Sequence, residues 1–458
     1  MRDGIERLLS DPNKSSTSFS HIADLPYLVL KKVLDKVFLA FLLLFLPTQL
    51  GKHFWPFFSS VNGIRIDYLS PTFYFTDLLI IVLIFLNIKN IRKAAKLIRL
   101  SKTNNLIIVA IFLSVFLSIL ISPSPILGIL KLIKILELIL LGFVLFVNRE
   151  NLLDLLSKIL PFTIIFESLL AAFQFINKGS IGGIFYFLGE RMFTSQTPNI
   201  ANANILGELI LRPYGTFPHP NVLAGFLLIA TVYLLFNSGF EKNHLAKIAI
   251  FFGSFGILLS MSRISIILFG ILVLVFFAKR KLLIPFLLIT FSILFLFLSP
   301  LRDRFVFSLD DTSIVERQLL LDSAVRMVKD SPLFGVGLNN FLPSLPSYYK
   351  VLENVFYLQP VHNLPLLIFS EVGLIGGVLI LYLFYLVFRR ANFESRILLS
   401  LIVFISLFDH YFLTLQQGQL LLTLVLVLSL IEKRDTTKLL TRMGSSLQKE
   451  RNASLKSN

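Results

Sequence analysis

The chain has 458 residues, of which 55% are hydrophobic, 47 are phenylalanine and none is cysteine; its mean hydropathy is +0.80. Without cysteine it can hold no disulfide or iron–sulfur cluster and cannot use a thiol nucleophile. The formal net charge of +16 would suit nucleic acid, but the apolar residues fall in long blocks, and where the charge lies excludes that class.

A membrane-crossing helix needs about 20 apolar residues, each rising 1.5 Å, to pass ~30 Å of hydrocarbon. Many blocks qualify, and no alternating pattern of ~10 residues suggests a β-barrel. The expected fold is therefore an all-α, polytopic membrane helical bundle. Residues 1–36 carry Arg2, Arg7, Lys14, Lys31, Lys32 and Lys36 without a short apolar stretch and small-residue cleavage site, so they read as a cytoplasmic N-terminal segment, not a leader. Spans are then expected near 37–47, 76–88, 105–121, 126–147, 159–176, 221–237, 248–261, 264–278, 282–300, 363–388, 397–412 and 416–431. That makes twelve, with both termini on one side and a basic cytoplasmic tail at 432–458.

Charge orients the bundle. The face holding the N-terminal segment, 89-KNIRKAAKLIR-99, 279-KRK-281, Arg389, Arg390, Arg396 and the tail carries 29 of the 43 Lys and Arg. The opposite face carries 12, and Lys131 and Lys134 fall within a span. The basic excess is thus a cytoplasmic rim. Segments 48–75, 177–220 and 301–361 are left on the extracytoplasmic side, where long loops commonly do work.

In the last of these, 313-SIVERQLLLDSAVRMVKDSP-332 reads as a helix, opened by an S-x-x-E capping box at Ser313 and Glu316 and closed by Pro332. The turn 333-LFGVGLNNF-341 lacks the strand–turn–helix context of a nucleotide loop. Four exterior arginines stand out: Arg212 in 212-RPYGTFPHPN-221, Arg263 in the short turn 260-SMSRIS-265, and Arg317 and Arg326 on the loop helix. Solvation or contact with lipid phosphate accounts for any one arginine alone. Arg263 resists that account, because its turn is too short to be a solvated domain.

His362 opens the apolar stretch 361-VHNLPLLIFSEVGLIGG-377. On one continuous helix, Gly373 lies 11 residues on, returning to within ~20° of His362, and Gly376 lies ~40° to the other side. Glycines on one face allow close helix packing, so His362 is expected to point toward neighbouring helices. A cap or interfacial histidine is the plainer alternative. Glu371 falls ~180° round and ~13 Å deeper, and needs a partner. Lys131 and Lys134 are candidates, although Glu137 is three residues from Lys134 and can pair with it. The cluster 409-DHYFLTLQQGQ-419 closes the eleventh span. There Asp409 can orient a histidine or bind hydroxyls, or the cluster is simply an aqueous turn.

As a set, these residues resemble the O-antigen ligase family. His362, Asn363, Gly373 and Gly376 follow its H-N-x9-G-x-x-G pattern, and the Arg212–Asn221 segment, the Ser262–Arg263 turn, the Arg317 helix leading to 332-PLFGVGLNNF-341 and 409-DHY-411 come in its order. The resemblance covers about 205–420, within a core at 201–431 that includes the 301–361 loop; the helices of 37–200 are only compatible with it. It implies a twelve-span, metal-independent, inverting glycosyltransferase without cofactor. The donor would be a glycan on undecaprenyl diphosphate at the outer side of the cytoplasmic (inner) membrane. The acceptor would be a saccharide, lipid or protein.

In that scheme His362 is the base, Arg212, Arg263 and Arg317 bind the donor diphosphate, and Arg326, Asn221, Asn363, Asp409 and His410 are secondary candidates. Residue chemistry agrees. Arginine suits a diphosphate leaving group whose charge grows as the bond breaks, and a neutral imidazole suits proton removal near pH 7. No H-E-x-x-H and no carboxylate-rich exterior cluster suggests a metal. A polysaccharide polymerase of the same family satisfies the same spacings. Of these, the ten residues enclosed by Arg326 and Gly337 tilt toward polymerase. A transporter for lipid-linked sugars would need alternating access, for which no internal repeat is visible. A scaffold without activity leaves the ordered motifs unexplained.

Overall fold

The computed structural model describes residues 25–97, 102–198, 200–205, 208–236, 243–277, 312–348 and 357–431. Helices dominate. In chain order they are α1 (Leu25–Leu44), α2 (Phe75–Leu97), α3 (Lys102–Leu120), α4 (Pro125–Val147), α5 (Arg149–Asn177), α6 (Ile184–Phe187), α7 (Pro220–Phe236), α8 (His244–Leu259), α9 (Arg263–Phe277), α10 (Thr312–Asp330), α11 (Phe341–Tyr348), α12 (Leu364–Arg390), α13 (Phe393–Ser406), α14 (Tyr411–Thr414) and α15 (Gln416–Leu430). Among the described residues, three small antiparallel strand pairs sit in the connections. β1 (Gly51–His53) pairs with β4 (Thr72–Tyr74), β2 (Ser60–Val61) with β3 (Ile64–Arg65), and β5 (Asn202–Ile205) with β6 (Glu208–Leu211).

The helices begin where the sequence supplies caps. Asn243, Asn363 and Asn392 each accept an N–H from the first turn of α8, α12 and α13, and Pro125 opens α4. Their surfaces are those of a bundle in lipid. On α3, Ser114 and Ser118 are buried while Leu106, Phe112 and Leu113 are exposed, an apolar outer face that water would not tolerate. The chain is a multi-pass membrane protein. Helices α3, α5 and α12 are long and apolar enough to cross a membrane, and α7, α8 and α15 are shorter apolar helices.

Described helices thus occupy eleven of the twelve segments read as spans, but only three meet that length criterion. The expected segment at 282–300 lies outside the described residues. At 37–47 the helix in fact begins at Leu25, and at 397–412 it ends at Ser406, which leaves Asp409 and His410 in a short link to α14. The loop helix appears as α10, as expected, although the Ser313 side chain of its capping box lies outside the described residues. The largest apolar cluster gathers around α7, where 13 of 17 residues are buried.

The helix through His362 and Gly376 is not continuous, which corrects the face argument made for it. Helix α12 starts after His362, with Asn363 as its cap, and breaks at Gly373, whose φ of 72° and ψ of −179° are non-helical. The break is filled by the 332–341 segment. Val336 donates its N–H to the Ser370 carbonyl (2.8 Å), Gly337 to that of Glu371 (2.9 Å), and Leu374 to that of Pro332 (2.8 Å). Backbone freed inside a membrane protein must be satisfied by protein in this way. A Cβ at Gly335 or Gly373 would strike the opposing backbone. Glu371 is answered here too: its carboxylate accepts the N–H groups of Asn339 and Phe341 and faces Lys131. Lys131 also donates to the Leu413 carbonyl, while Lys134 pairs with Asp77 and Glu137.

Candidate active site

A cleft opens where the 212–221 segment, the α8–α9 turn, α10 and the α13–α14 link converge. Arg212, Arg263 and Arg317 line it, with Asn221, Asp409 and Tyr411. Each comes from a local feature. The β5–β6 hairpin ends one residue before Arg212, and Asn221 is the second residue of α7. Met261 turns the chain with a left-handed φ of 52°, which sets Ser262 and Arg263 at the cleft wall. Arg317 stands in the second turn of α10.

The side chains form a connected line. Arg212, only 6% exposed, donates from Nε to the Ser260 carbonyl (3.0 Å) and from Nη2 to Asn221 Oδ1 (2.7 Å). Asn221 Nδ2 donates to Asp409 Oδ2 (3.0 Å). Asp409 Oδ1 accepts the His410 N–H (2.8 Å) and stands 3.8 Å from His362 Nδ1, a separation too long for a hydrogen bond. That Nδ1 is buried without a hydrogen-bond partner, and His362 Nε2 reaches Gln359 Oε1 at 3.3 Å.

Two further histidines frame the pair. His410 Nδ1 lies 2.7 Å from Thr414 Oγ1, which is also 3.2 Å from the His410 carbonyl. The His410 ring is 5.1 Å from that of His362 and meets Tyr68 edge-on at 5.4 Å. His219 Nδ1 accepts the Asn221 N–H (3.1 Å), which leaves its proton on Nε2.

Electrostatics follow burial. Burial pushes His410 down to about 3, helped by His362, Arg317 and Lys131 against the pull of Asp409. Burial also brings His219 down to about 3, with Arg212 adding to it. Both imidazoles are therefore neutral near pH 7. Burial alone would raise the Asp409 carboxyl, but His362, His410 and His219 outweigh it and hold the group well below the usual carboxylate range. His362, Asp409 and His410 offer ligand atoms within 4.8 Å of one another, but three arginines on the same cleft favour anions over a cation.

Of the residues singled out in the sequence, Arg212, Arg263, Arg317, Asn221 and Asp409 share one cleft, with His362 and His410 against Asp409. Two candidates fall elsewhere. Asn363 caps α12, accepting from Leu366 N–H and donating to the Leu407 carbonyl. Arg326 is exposed and absent from the cleft lining: nine residues after Arg317, it projects ~180° away on α10. Sequence reasoning assigned no role to His219, Tyr68 or Thr414. His219 lay inside a quoted motif, while Tyr68 comes from a distant loop and had no local signal.

Residues 248–381 match the O-antigen ligase family, and the resemblance drawn from its motifs holds over this stretch. The match includes Arg263, Arg317 and His362 and supports a membrane glycan-transfer function. No curated protein matches the chain.

Proposed function

We propose that this member of the O-antigen ligase family transfers a glycan from an undecaprenyl diphosphate carrier to an acceptor hydroxyl on the outer side of the cytoplasmic membrane. The observation that carries the reading is the hydrogen-bonded line from Arg212 through Asn221 to Asp409, which stands 3.8 Å from His362, with Arg263 and Arg317 on the same cleft. It joins an anion-binding end to a basic end, which is what displacement of a diphosphate by a hydroxyl requires.

In this mechanism His362 Nε2 takes the proton from the acceptor hydroxyl as its oxygen attacks the anomeric carbon. The bond from that carbon to the phosphate oxygen breaks, and its electron pair leaves on the diphosphate. Attack from the face opposite the leaving group inverts the centre. Arg212, Arg263 and Arg317 stabilise the growing negative charge, where bidentate guanidinium contacts count most in a site shielded from water. Asp409 aligns His362 through Nδ1 and stabilises the imidazolium once it forms, the role of the carboxylate in a Ser-His-Asp triad. The reaction uses no metal in this scheme.

Ligase and polymerase share this chemistry and differ in the acceptor; Arg326, whose spacing to Gly337 tilts toward polymerase, is not among the residues lining this cleft. The test is glycan transfer in a host lacking its own ligase, with His362→Ala compared at equal membrane level. Loss of product with the variant supports the base, and the mass of the acceptor separates transfer to a lipid core from chain extension. Undiminished transfer by the variant removes His362 from the mechanism.

A further inference from the structure

Two buried side chains of α5 take no part in this chemistry, yet both are spent on the segment that presents Arg212. Glu167 and Gln174 are seven residues apart, so they lie within ~20° on one helix face. They are 1% and 0% exposed. Glu167 accepts the Thr216 N–H through Oε2 (2.9 Å) and the Thr216 hydroxyl through Oε1 (2.7 Å). Gln174 Oε1 accepts the N–H groups of Tyr214 (2.9 Å) and Gly215 (2.8 Å). Its Nε2 donates to the Gly215 carbonyl (2.9 Å) and to Glu190 Oε1 (2.8 Å). Glu190 in turn accepts from the Ile181 and Gly182 N–H groups at 2.8 and 2.7 Å.

A carboxyl inside an apolar helix is expensive, and an apolar residue would pack α5 equally well. What Glu167 and Gln174 add is direction. Together they fix the backbone of 214–216, where Gly215 has a φ of +59° and a Cβ would collide with the Glu167 carboxylate. The other end of this short segment is tied as well: Arg212 N–H bonds to the Ala201 carbonyl (3.1 Å), and the Tyr214 hydroxyl accepts the Ala201 N–H (2.8 Å). Between these anchors Arg212 has little backbone freedom, and Asn221 begins α7 directly after.

We propose that Glu167 and Gln174, on a helix outside the matched family domain, are positioning residues that preset Arg212 and Asn221 to receive the donor diphosphate. The inference rests on the reading of Arg212 given above. A preset guanidinium loses little freedom on binding, so loosening the turn weakens donor affinity even when every group touching the donor is intact.

The test measures binding of undecaprenyl diphosphate to the full chain in nanodiscs, alongside the unfolding midpoint in the same discs. Thr216→Val removes one bond to Glu167 at nearly constant volume, Thr216→Ser restores it, and Glu167→Gln replaces one acceptor oxygen by an amide nitrogen. Arg212→Ala serves as the control. The expected result is a loss of about tenfold in affinity for Thr216→Val and Glu167→Gln, the scale of one hydrogen bond, with Thr216→Ser close to the native chain in both affinity and midpoint. Affinity unchanged in Thr216→Val and Glu167→Gln, with Arg212→Ala weakened, overturns the positioning role and leaves the diphosphate reading standing. Affinity unchanged in Arg212→Ala overturns both.

Discussion

Replacing Asp409 by Asn removes one charge. The amide keeps the shape of the carboxylate and an oxygen for Asn221 Nδ2, which now donates to Asp409 at 3.0 Å. It loses the second acceptor oxygen, which takes the His410 N–H at 2.8 Å, and the negative charge 3.8 Å from His362 Nδ1, between side chains only 18% and 11% exposed. At that separation the attraction to an imidazolium is worth about 4 kcal/mol at an effective dielectric near 20, and about 1 kcal/mol in water-like surroundings. In the proposed mechanism the imidazolium forms as the acceptor proton moves, so this energy belongs to the transition state, and kcat is expected to fall by about 6-fold to about 1,000-fold. The low exposure favours the upper part of that range. Single-turnover transfer from a lipid-linked donor by the purified chain, with its unfolding midpoint recorded in parallel, measures it. A kcat within about threefold of the native value, at an unchanged midpoint, refutes the pairing of Asp409 with His362 in the reaction.

Acid should destabilise the fold. His410 and His219 are lowered from 6.5 to about 3, so between those values the unfolded chain binds more protons, and each histidine costs about 1.4 kcal/mol per pH unit as pH falls below 6.5. Asp409, lowered as well, adds in the same sense below ~4. The unfolding midpoint should fall from pH 7 to pH 5 and fall less in His410→Asn; a flat profile contradicts the burial argument. Arg326→Ala should leave glycan transfer unchanged, because Arg326 lies outside the cleft, and a large loss in the same assay would place it in the reaction after all. Gly373→Ala meets both a positive φ and the Leu333 backbone, so it should cost at least ~1–3 kcal/mol and reduce the folded protein in the membrane, read as the fraction surviving detergent extraction.

Much of this protein is written locally in its sequence. Each apolar block carries its own transfer free energy, so composition alone locates segments that helices do occupy. Asn243, Asn363 and Asn392 cap the helices they precede because capping needs only a side chain and the next turn. The motif order groups Arg212, Arg263 and Arg317, and the fold brings all three to one cleft. Even the opposite projection of Arg326 was legible, since nine residues on a helix is half a turn out of phase.

What the tertiary structure decided is everything that depends on distant partners. Gly373 looks helical by periodicity; only the docking of 332–341 against it reveals the break, because the replacement hydrogen bonds come from another segment. Glu371 found backbone N–H groups as well as a lysine. Glu167 and Gln174 share a face by spacing, but their purpose appears only when the 214–216 turn arrives against them. Asp409 reaches His362 across 47 positions of chain and Asn221 across 188. Local sequence determines which residues are capable of the chemistry; long-range packing determines which of them meet, because a hydrogen bond or ion pair acts over a few ångströms of space, whatever the distance along the chain.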